Sequence, residues 1–388
     1  ARRDSGAAPA ETRVARAAFI GGCGSGFAAG WNIANTGAAA DDLSVAYGVG
    51  LGVVGLFTTA LFLAHMLMQL PSGRLSDRFG PWAVCAVGVG VLGACNCVLA
   101  IAPVTPLALS ARFAAGVGTA LAFIGGSDLV RLSGGSPLAQ GVYGGVATSG
   151  GGAALAIVPL TIAAVGWRGP YLSGIAIAVV AAALLVHAPR TARTPVARAS
   201  VRLRRIAGDR RLLLIAAVFA ASFGLTVVIG NWVPTLLGDR TGVSEAAAGA
   251  VASCTLVLGI VSRPIGGWIM RERPASLRLA IGASAIVGAG GTVALAAGPV
   301  PVAIAGAVAV GLAGGIPFAA SFTSAATLFI GSPATAVGFV NGIGALTILV
   351  VTPIVGVALA RDFGVEAFVV LAALWAASIA AVPRAFAG

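Results

Sequence analysis

The sequence predicts an all-α membrane protein with about twelve transmembrane helices in two pseudo-symmetric six-helix bundles. The first observation is composition: of 388 residues, 58% are hydrophobic and 9% charged, and the mean hydropathy is +1.00. A soluble fold could not cover that much apolar surface. The second is that the apolar runs are about twenty residues long without strand-like alternation, which favours helices over a β-barrel. The third is one long polar stretch at mid-chain, with six spans on either side.

Breaks in hydropathy at charges and at Pro/Gly clusters place the individual spans. The first six are predicted near residues 17–39, 47–70, 82–102, 106–127, 138–164 and 170–188. The second six are predicted near residues 212–237, 244–269, 276–298, 300–330, 334–360 and 364–384. The sequence therefore predicts an N-terminal bundle at 1–188, a cytoplasmic arginine-rich linker at 189–211 and a C-terminal bundle at 212–388.

The distribution of arginine predicts the orientation in the membrane. All 24 basic residues are arginine, and eight lie in the mid-chain stretch: Arg190, Arg193, Arg198, Arg202, Arg204, Arg205, Arg210 and Arg211. Four more lie near the N-terminus, at Arg2, Arg3, Arg13 and Arg16. By the positive-inside rule both segments are cytoplasmic, so both termini are predicted on the cytoplasmic side of a bacterial inner membrane. The apolar run after Arg16 lacks a small-residue cleavage site and is interpreted as a retained first span.

Composition also limits the chemistry. The five cysteines, an odd number, lie inside apolar runs, which argues against a disulfide framework. Within the spans there is no cluster of a nucleophile, a base and an acid, and no cysteine falls at metal-ligand spacing. The sequence therefore predicts that the protein is not an enzyme and has no cofactor and no metal site. The expected partners are a small-molecule substrate, with proton coupling left open, and the lipid bilayer. The protein is expected to be a monomer that does not bind nucleic acid.

Two polar segments repeat at a constant offset of 193 residues. PSGRLSDRFG (Pro71 to Gly80) is predicted as the loop after span two, and RPIGGWIMRERP (Arg263 to Pro274) as the loop after span eight. The matching pairs are Pro71 with Pro264, Gly73 with Gly266, and Arg78 with Arg271, whereas Met270 stands in the place of Asp77. The repeat indicates an internal duplication.

The segment GRLSDRFG and a second segment, RFAAGVGTA (Arg112 to Ala120), carry a family resemblance. The first looks like the motif of the major facilitator superfamily between helices two and three. The second is similar to that family's fourth-helix motif, with Arg112, Gly116 and Gly118 in the expected places. The chain resembles this family over essentially its whole length, which implies a carrier that works by alternating access around a central site.

The resemblance also implies a conformational latch at the cytoplasmic surface. Its members would be Gly73, Asp77, Arg78, Asp128 and Arg131, with the charges holding helices together in the outward-open state and separating as the inside opens. The alternative is ordinary topology-setting charge with weak surface pairing.

Two arginines are candidates for the substrate pathway. Arg112 lies deep in span four, where a charge costs at least about 2.5 kcal/mol on insertion scales, so it should face a cavity or a partner. In the family this arginine is associated with proton coupling or anion attraction; the alternative is a structural bond to backbone carbonyls. The RPIGG segment at Arg263 is similar to that of nitrate/nitrite porters and related anion carriers. Those porters have a second arginine where this chain has Gln69, and their glycine-asparagine signature is missing from GGVATSGGG (Gly144 to Gly152). Arg263 could instead extend to the cytoplasmic surface.

Further pathway candidates are polar or aromatic residues inside spans. Asn32 and Asn35 are three residues apart, hence on one helix face, where they either line a cavity or bond neighbouring helices. His65 is either a proton carrier or a packed neutral side chain. Spans seven, ten and eleven add Trp232, Phe318, Ser321 and Asn341.

The absence of acidic residues from the middle of every span narrows the substrate class. Carriers of organic cations and sugar–proton symporters usually need a buried carboxylate. The fifth span also lacks the Gly-Pro-x-x-Gly-Gly pattern of drug–proton antiporters. The sequence therefore favours a secondary transporter of a small inorganic or organic anion. The alternatives are a proton-coupled efflux pump for apolar drugs or metabolites, and a membrane sensor or receptor that does not transport.

Overall fold

The computed structural model describes residues 7–190 and 203–386, and within these ranges every regular element is helical. Ten stretches of the described chain are long and apolar enough to cross a membrane. One of them, Pro137–Val186, contains two long helices, and the 28-residue helix Ala7–Ala34 is a further element of spanning length. The predicted twelve-helix membrane fold is confirmed.

The described residues cluster into two compact units. The first is built from the described parts of 1–139, 146–200 and 331–338. Its helices begin with α1 to α7: Ala7–Ala34, Ala40–Tyr47, Leu51–Phe79, Pro81–Ile101, Thr105–Leu132, Pro137–Val165 and Gly169–Val186. Residues 140–145 of α6 cluster with the second unit, whereas residues 331–338, which include the start of a later helix, cluster with the first.

The second unit is built from 140–145, the described parts of 201–330, and those of 339–388. Its helices are α8 to α18: Leu203–Ala207, Arg210–Phe219, Leu225–Thr241, Glu245–Val257, Gly259–Glu272, Leu277–Ala297, Val300–Gly315, Pro317–Leu328, Pro333–Leu359, Gly364–Ala377 and Val382–Ala385. A π-helical turn, Ala220–Gly224, joins α9 to α10. The predicted linker contains the short helix α8, but Arg193, Arg198 and Arg202 lie outside the described residues, as do Arg2 and Arg3. The predicted domain limits stay a prediction.

The segment predicted as a loop after span two is helical, which corrects the sequence interpretation. Helix α3 continues through Pro71 and ends only at Gly80, where a φ of 89° suits glycine. Proline removes one backbone hydrogen bond and bends a membrane helix without necessarily ending it. The same holds for α12, which contains Pro264 and runs to Glu272. Asp77 and Arg78 therefore lie on the last turn of a helix.

Apolar side chains cover much of the exposed surface, as expected where lipid replaces water. Leu160, Val186 and Leu279 are 70%, 70% and 76% exposed. Inside the first unit the helices approach closely at small residues. A Cβ on Gly116 of α5 would overlap the carbonyl oxygen of Leu61 on α3, so these two helices meet backbone to backbone.

Candidate functional site

In the first unit, Arg112 is fully buried and bonded to neutral oxygens. Its Nη1 donates to Asn35 Oδ1 (3.2 Å) and its Nη2 to the carbonyl of Asn32 (3.0 Å). Its Nε has no partner, and among the described residues no carboxylate lies within salt-bridge distance of it. The positive charge is therefore held in an apolar interior by hydrogen bonds alone.

The two asparagines connect Arg112 to two further helices. Asn35 Nδ2 donates to the carbonyl of Pro170 on α7 (3.1 Å), and Asn32 Oδ1 accepts from Asn96 Nδ2 on α4 (2.7 Å). All three asparagines are buried. Helices α1, α4, α5 and α7 thus share one polar network at membrane depth, in which Arg112 supplies the charge.

His65 lies elsewhere in the first unit, in an aromatic environment. Its Nδ1 is 2.9 Å from Thr119 Oγ1, whose own proton is donated to the carbonyl of Gly116. The Nδ1 must therefore donate to Thr119, which assigns the tautomer of the neutral ring. Phe62 and Phe123 lie edge-on at ring-centroid distances of 6.4 and 6.5 Å. The structure does not bring His65 together with Arg112.

Asp77 occupies the last turn of α3, where its carboxylate caps the N-terminus of α16. It accepts hydrogen bonds from the backbone N–H groups of Ala334 (3.0 Å) and Thr335 (2.9 Å) and from the Thr335 hydroxyl. A carboxylate in this place compensates the positive end of the helix dipole. One turn earlier, a Cβ on Gly73 would overlap the carbonyl oxygen of Ala334, so α3 and the start of α16 are in backbone contact.

The other predicted latch residues are divided. Asp128 at the end of α5 is bonded to Ser76 Oγ (2.7 Å) and pairs with Arg131 on its own helix (2.7 Å). Arg78 is exposed, lies over the ring of Phe79 at 4.9 Å, and has no carboxylate partner among the described residues. The sequence suggested one cluster of four charges, whereas the structure has a helix cap, a local ion pair and a separate Arg78.

In the second unit, Arg263 on α12 is 8% exposed and has different neighbours from those of Arg112. Its Nη1 donates to the carbonyl of Gly144 (2.7 Å). Its guanidinium carbon lies 4.6 Å from the ring centroid of Phe318 and 5.4 Å from that of Phe223. Its other nitrogens have no partner in the described chain, and no carboxylate there pairs with it.

A small cavity of about 20 Å³ adjoins Arg263, which is room for one water or a comparably small group. Its lining consists of Phe223, Thr226, Val227, Thr255, Leu256, Gly259, Arg263, Gly311, Gly314 and Gly315. The lining threonines donate their protons to carbonyls of their own helices, Thr226 to Ser222 and Thr255 to Ala252 (2.7 Å). Their hydroxyl protons are therefore not available to a ligand in the cavity.

The remaining predicted pathway residues are buried or half-buried in their units. Trp232 donates Nε1–H to the carbonyl of Thr352 (2.8 Å). Ser321 is fully buried and its hydroxyl has no partner among the described residues. Gln69 and Asn341 are also buried, and Gln69 is adjacent to Gly338, where a Cβ would overlap the Gln69 carbonyl oxygen. None of these residues is among those that line the Arg263 cavity.

Sequence reasoning missed several members of these sites. Asn96 is a buried amide in an apolar span, the same signal that singled out Asn32 and Asn35. The hydroxyls of Tyr47 and Tyr171 are 3.4 Å apart in the core of the first unit. In the sequence each is only a polar aromatic residue near the end of a span, which does not indicate that the two meet. Phe223 gave no signal, because a phenylalanine in an apolar helix is ordinary.

Comparison with known proteins gave one family and several relatives. A family model described as Major Facilitator Superfamily matches residues 22–352. A probable sulfoacetate transporter from Cupriavidus necator is 25% identical over 276 residues, which are 63% of this chain and 63% of that protein. The chain thus spans less than two thirds of that relative's length.

Two solved structures show the same fold. A variant of the E. coli fucose:proton symporter has a TM-score of 0.74 at 15% identity, covering 94% of this chain and 97% of that one. The human organic anion transporter MFSD10 has a TM-score of 0.69 at 16% identity, with coverages of 96% and 99%. At these identities the likeness concerns the fold alone.

Proposed function

The chain belongs to the Major Facilitator Superfamily, and we propose that this multi-pass membrane transporter carries a small inorganic or organic anion across the bacterial inner membrane by alternating access. The family and the structural relatives are transporters, so the prediction that the chain is not an enzyme is confirmed. The similarity of the Arg263 segment to nitrate/nitrite porters stays a prediction.

One observation carries the anion proposal: each unit contains a buried arginine without a carboxylate partner in the described chain. The charge of a buried arginine is costly unless paired, and an arriving anion would relieve that cost through charge-assisted hydrogen bonds. Arg263 is the better candidate for direct contact, because its guanidinium adjoins a cavity and only one of its N–H groups is bonded to the protein. Arg112 is closed off by its hydrogen-bonded neighbours and adjoins no described cavity.

The sequence relative supports the same substrate class. Sulfoacetate, named for the Cupriavidus necator protein, carries a carboxylate and a sulfonate. Both are oxyanions that a planar guanidinium binds well. The relative covers only part of the chain, so it supports the class of substrate and not the compound.

Uptake into proteoliposomes tests the proposal. Purified protein should take up anions from a panel of carboxylates, sulfonates, nitrate and phosphate, with and without a pH gradient, and should not take up lipophilic cations. Arg263→Gln should weaken binding of the transported anion by about 2 kcal/mol, because a charge-assisted hydrogen bond is lost.

Arg278→Gln is the matched control. Arg278 is exposed and has no described contact, so this substitution removes the same charge without removing an interaction. If the control and Arg263→Gln behave alike, or if the protein moves lipophilic cations and no anion, the anion proposal is wrong.

A specific observation supports efflux of apolar compounds as the second candidate. Phe219, Phe318 and Phe322 form a buried aromatic cluster with ring-centroid distances of 4.4 to 6.1 Å. The half-buried Phe223 packs on Phe219 at 5.3 Å and extends this cluster to the Arg263 cavity, where an aromatic cargo would pack on its ring. The same uptake panel separates the two candidates.

Alternating access gives the cap on α16 a role. We infer that Asp77 holds residues 331–338 against α3 in one state of the cycle and releases them in another. The small size of Gly73 permits the close contact, and the pair of Asp128 with Arg131 fixes Ser76 beside it.

The proposed orientation places the segment around α8 in the cytoplasm, because positive charges in a short loop dominate topology. A single cysteine at Ala207, in a background without the five native cysteines, should resist an impermeant thiol reagent added to intact cells. Labelling of this cysteine from outside would show that the segment is periplasmic and that the proposed orientation is wrong.

A further inference from the structure

The hydrogen-bond donors around Arg263 restrict the kind of anion that could bind there. The hydroxyls of Thr226, Thr255 and Ser262 all donate to backbone carbonyls, Ser262 to that of Gly311 (3.2 Å). Among the side chains that line the cavity, Arg263 alone has N–H donors that are not bonded to the described chain. An inorganic anion would exchange a full hydration shell for the donors of one guanidinium, which is unfavourable.

An apolar surface lies beside the same guanidinium. Phe223 and Val227 are four residues apart on α10 and the preceding π-helical turn, hence on one helix face, and both line the cavity. Both are only half-buried, in contrast to Phe318 at 2% exposure and Phe322 at 1%. A π-helical turn within an α-helix is frequent at functional sites. Phe223 and Val227 therefore offer accessible carbon surface next to the charge.

We propose that the transported anion is an organic oxyanion, a carboxylate or sulfonate, whose head binds Arg263 and whose carbon part packs against Phe223 and Val227. This inference rests on the proposed function and narrows it from anions in general to organic ones. The cavity of about 20 Å³ has room for one oxygen of the head, so the carbon part lies outside it, along the half-buried faces of Phe223 and Val227. Burial of the carbon part compensates the few hydrogen bonds that the head receives.

The threonine side of the cavity offers an anionic head no hydrogen-bond donor, because the hydroxyls of Thr226 and Thr255 donate to carbonyls. Phe223 and Val227 offer half-buried carbon surface on one helix face. The carbon part is therefore expected along α10, and Phe223 becomes a specificity-determining residue.

Calorimetric titration of the purified full-length protein in nanodiscs tests this with three monovalent oxyanions: phenylacetate, acetate and nitrate. Phenylacetate should bind at least tenfold more tightly than either of the others, because it alone brings a ring. Phe223→Ala should lower the affinity for phenylacetate by roughly tenfold and that for acetate much less, so that the ratio between the two falls.

Val227→Thr is a second variant that keeps the side-chain shape and removes apolar character. It should weaken phenylacetate binding several-fold, whereas Val357→Thr, at a position that is 54% exposed, should not. Unfolding temperatures equal to wild type show that a variant is folded.

The outcomes separate this inference from the proposed function. If nitrate or acetate binds as tightly as phenylacetate, or if Phe223→Ala and Val227→Thr leave the ratio unchanged, the organic-anion inference is overturned while anion transport stands. If none of the three binds or is taken up, and other anions also fail, both are overturned.

Discussion

Arg112 and Arg263 are both buried arginines in apolar units, yet they differ in what their donors contact. Arg112 donates to the Asn32 carbonyl of α1 and to the side chain of Asn35, which directly follows α1, and through these two residues it is connected to α7 and α4. Arg263 donates to a single carbonyl, lies over two phenyl rings and adjoins a cavity. Arg112 is enclosed by hydrogen-bonded neighbours, whereas Arg263 has only one donor bonded to the described chain.

The difference shows that burial of a charge does not by itself identify a binding residue. A buried guanidinium can stabilise a fold when neutral acceptors surround it, and can serve a ligand when they do not. The contacts predict that Arg112 contributes mainly to stability and Arg263 mainly to affinity.

The largest expected effect is on stability. Arg112→Ala should lower the free energy of unfolding by about 3 kcal/mol, because it removes two charge-assisted hydrogen bonds and leaves a cavity. Arg263→Ala should cost about 1 kcal/mol, since one bond is lost and an uncompensated charge is removed with it. Thermal unfolding in detergent measures the loss of stability in both variants. Equal losses would contradict the conclusion that Arg112 contributes more to stability than Arg263.

A second substitution tests whether the hydrogen-bond network around Arg112 stabilises the first unit. Asn35→Leu should cost about 2 kcal/mol, because the Arg112 Nη1–H and the Pro170 carbonyl lose their partner in an apolar interior. Asn231→Leu, at an exposed position, is the control. If Asn35→Leu and Arg112→Ala combine additively, the two side chains are not coupled and the network is not the source of stability.

The third change concerns affinity in the second unit. Arg263→Lys should weaken anion binding about tenfold and leave the unfolding temperature unchanged, because lysine keeps the charge but not the planar fork. Arg278→Lys is the control. Full affinity in Arg263→Lys would mean that only the charge matters.

The smallest effect is expected away from both arginines. Asp77→Asn should weaken the contact with the start of α16 by about 1 kcal/mol, because the negative charge at the helix N-terminus is lost. Uptake should slow while the dissociation constant of the anion changes little. The exposed Asp41→Asn is the control, and loss of binding in a folded Asp77→Asn protein would contradict this role.

Local signals predicted the helices well. Helix α4 was expected at 82–102 and runs from Pro81 to Ile101, because a long apolar run ends at charges or at glycine and proline on both sides. The error at 71–80 arose from reading proline and charges as a loop, although a proline inside a membrane helix can bend it without breaking it.

Partners were harder to predict than elements. Arg112 and Asn35 were selected separately because each is costly in a span, but their pairing joins residues 77 positions apart. The role of Phe223 depends on a π-helical turn, and no residue type in AASFG marks one. The partner of Asp77 could not be recognised either, since backbone N–H groups leave no mark in a sequence.

That last contact has a consequence for genetics. Two of the three hydrogen bonds to Asp77 come from the main chain, so at position 334 every amino acid except proline supplies the same donor. A saturation mutagenesis screen should therefore find that replacements of Asp77 weaken the cap, whereas small residues at the buried position 334 keep it, although the two residues are in direct contact. Contacts between a side chain and the main chain do not produce correlated substitutions, so they are recognised from a structure and not from covariation between positions.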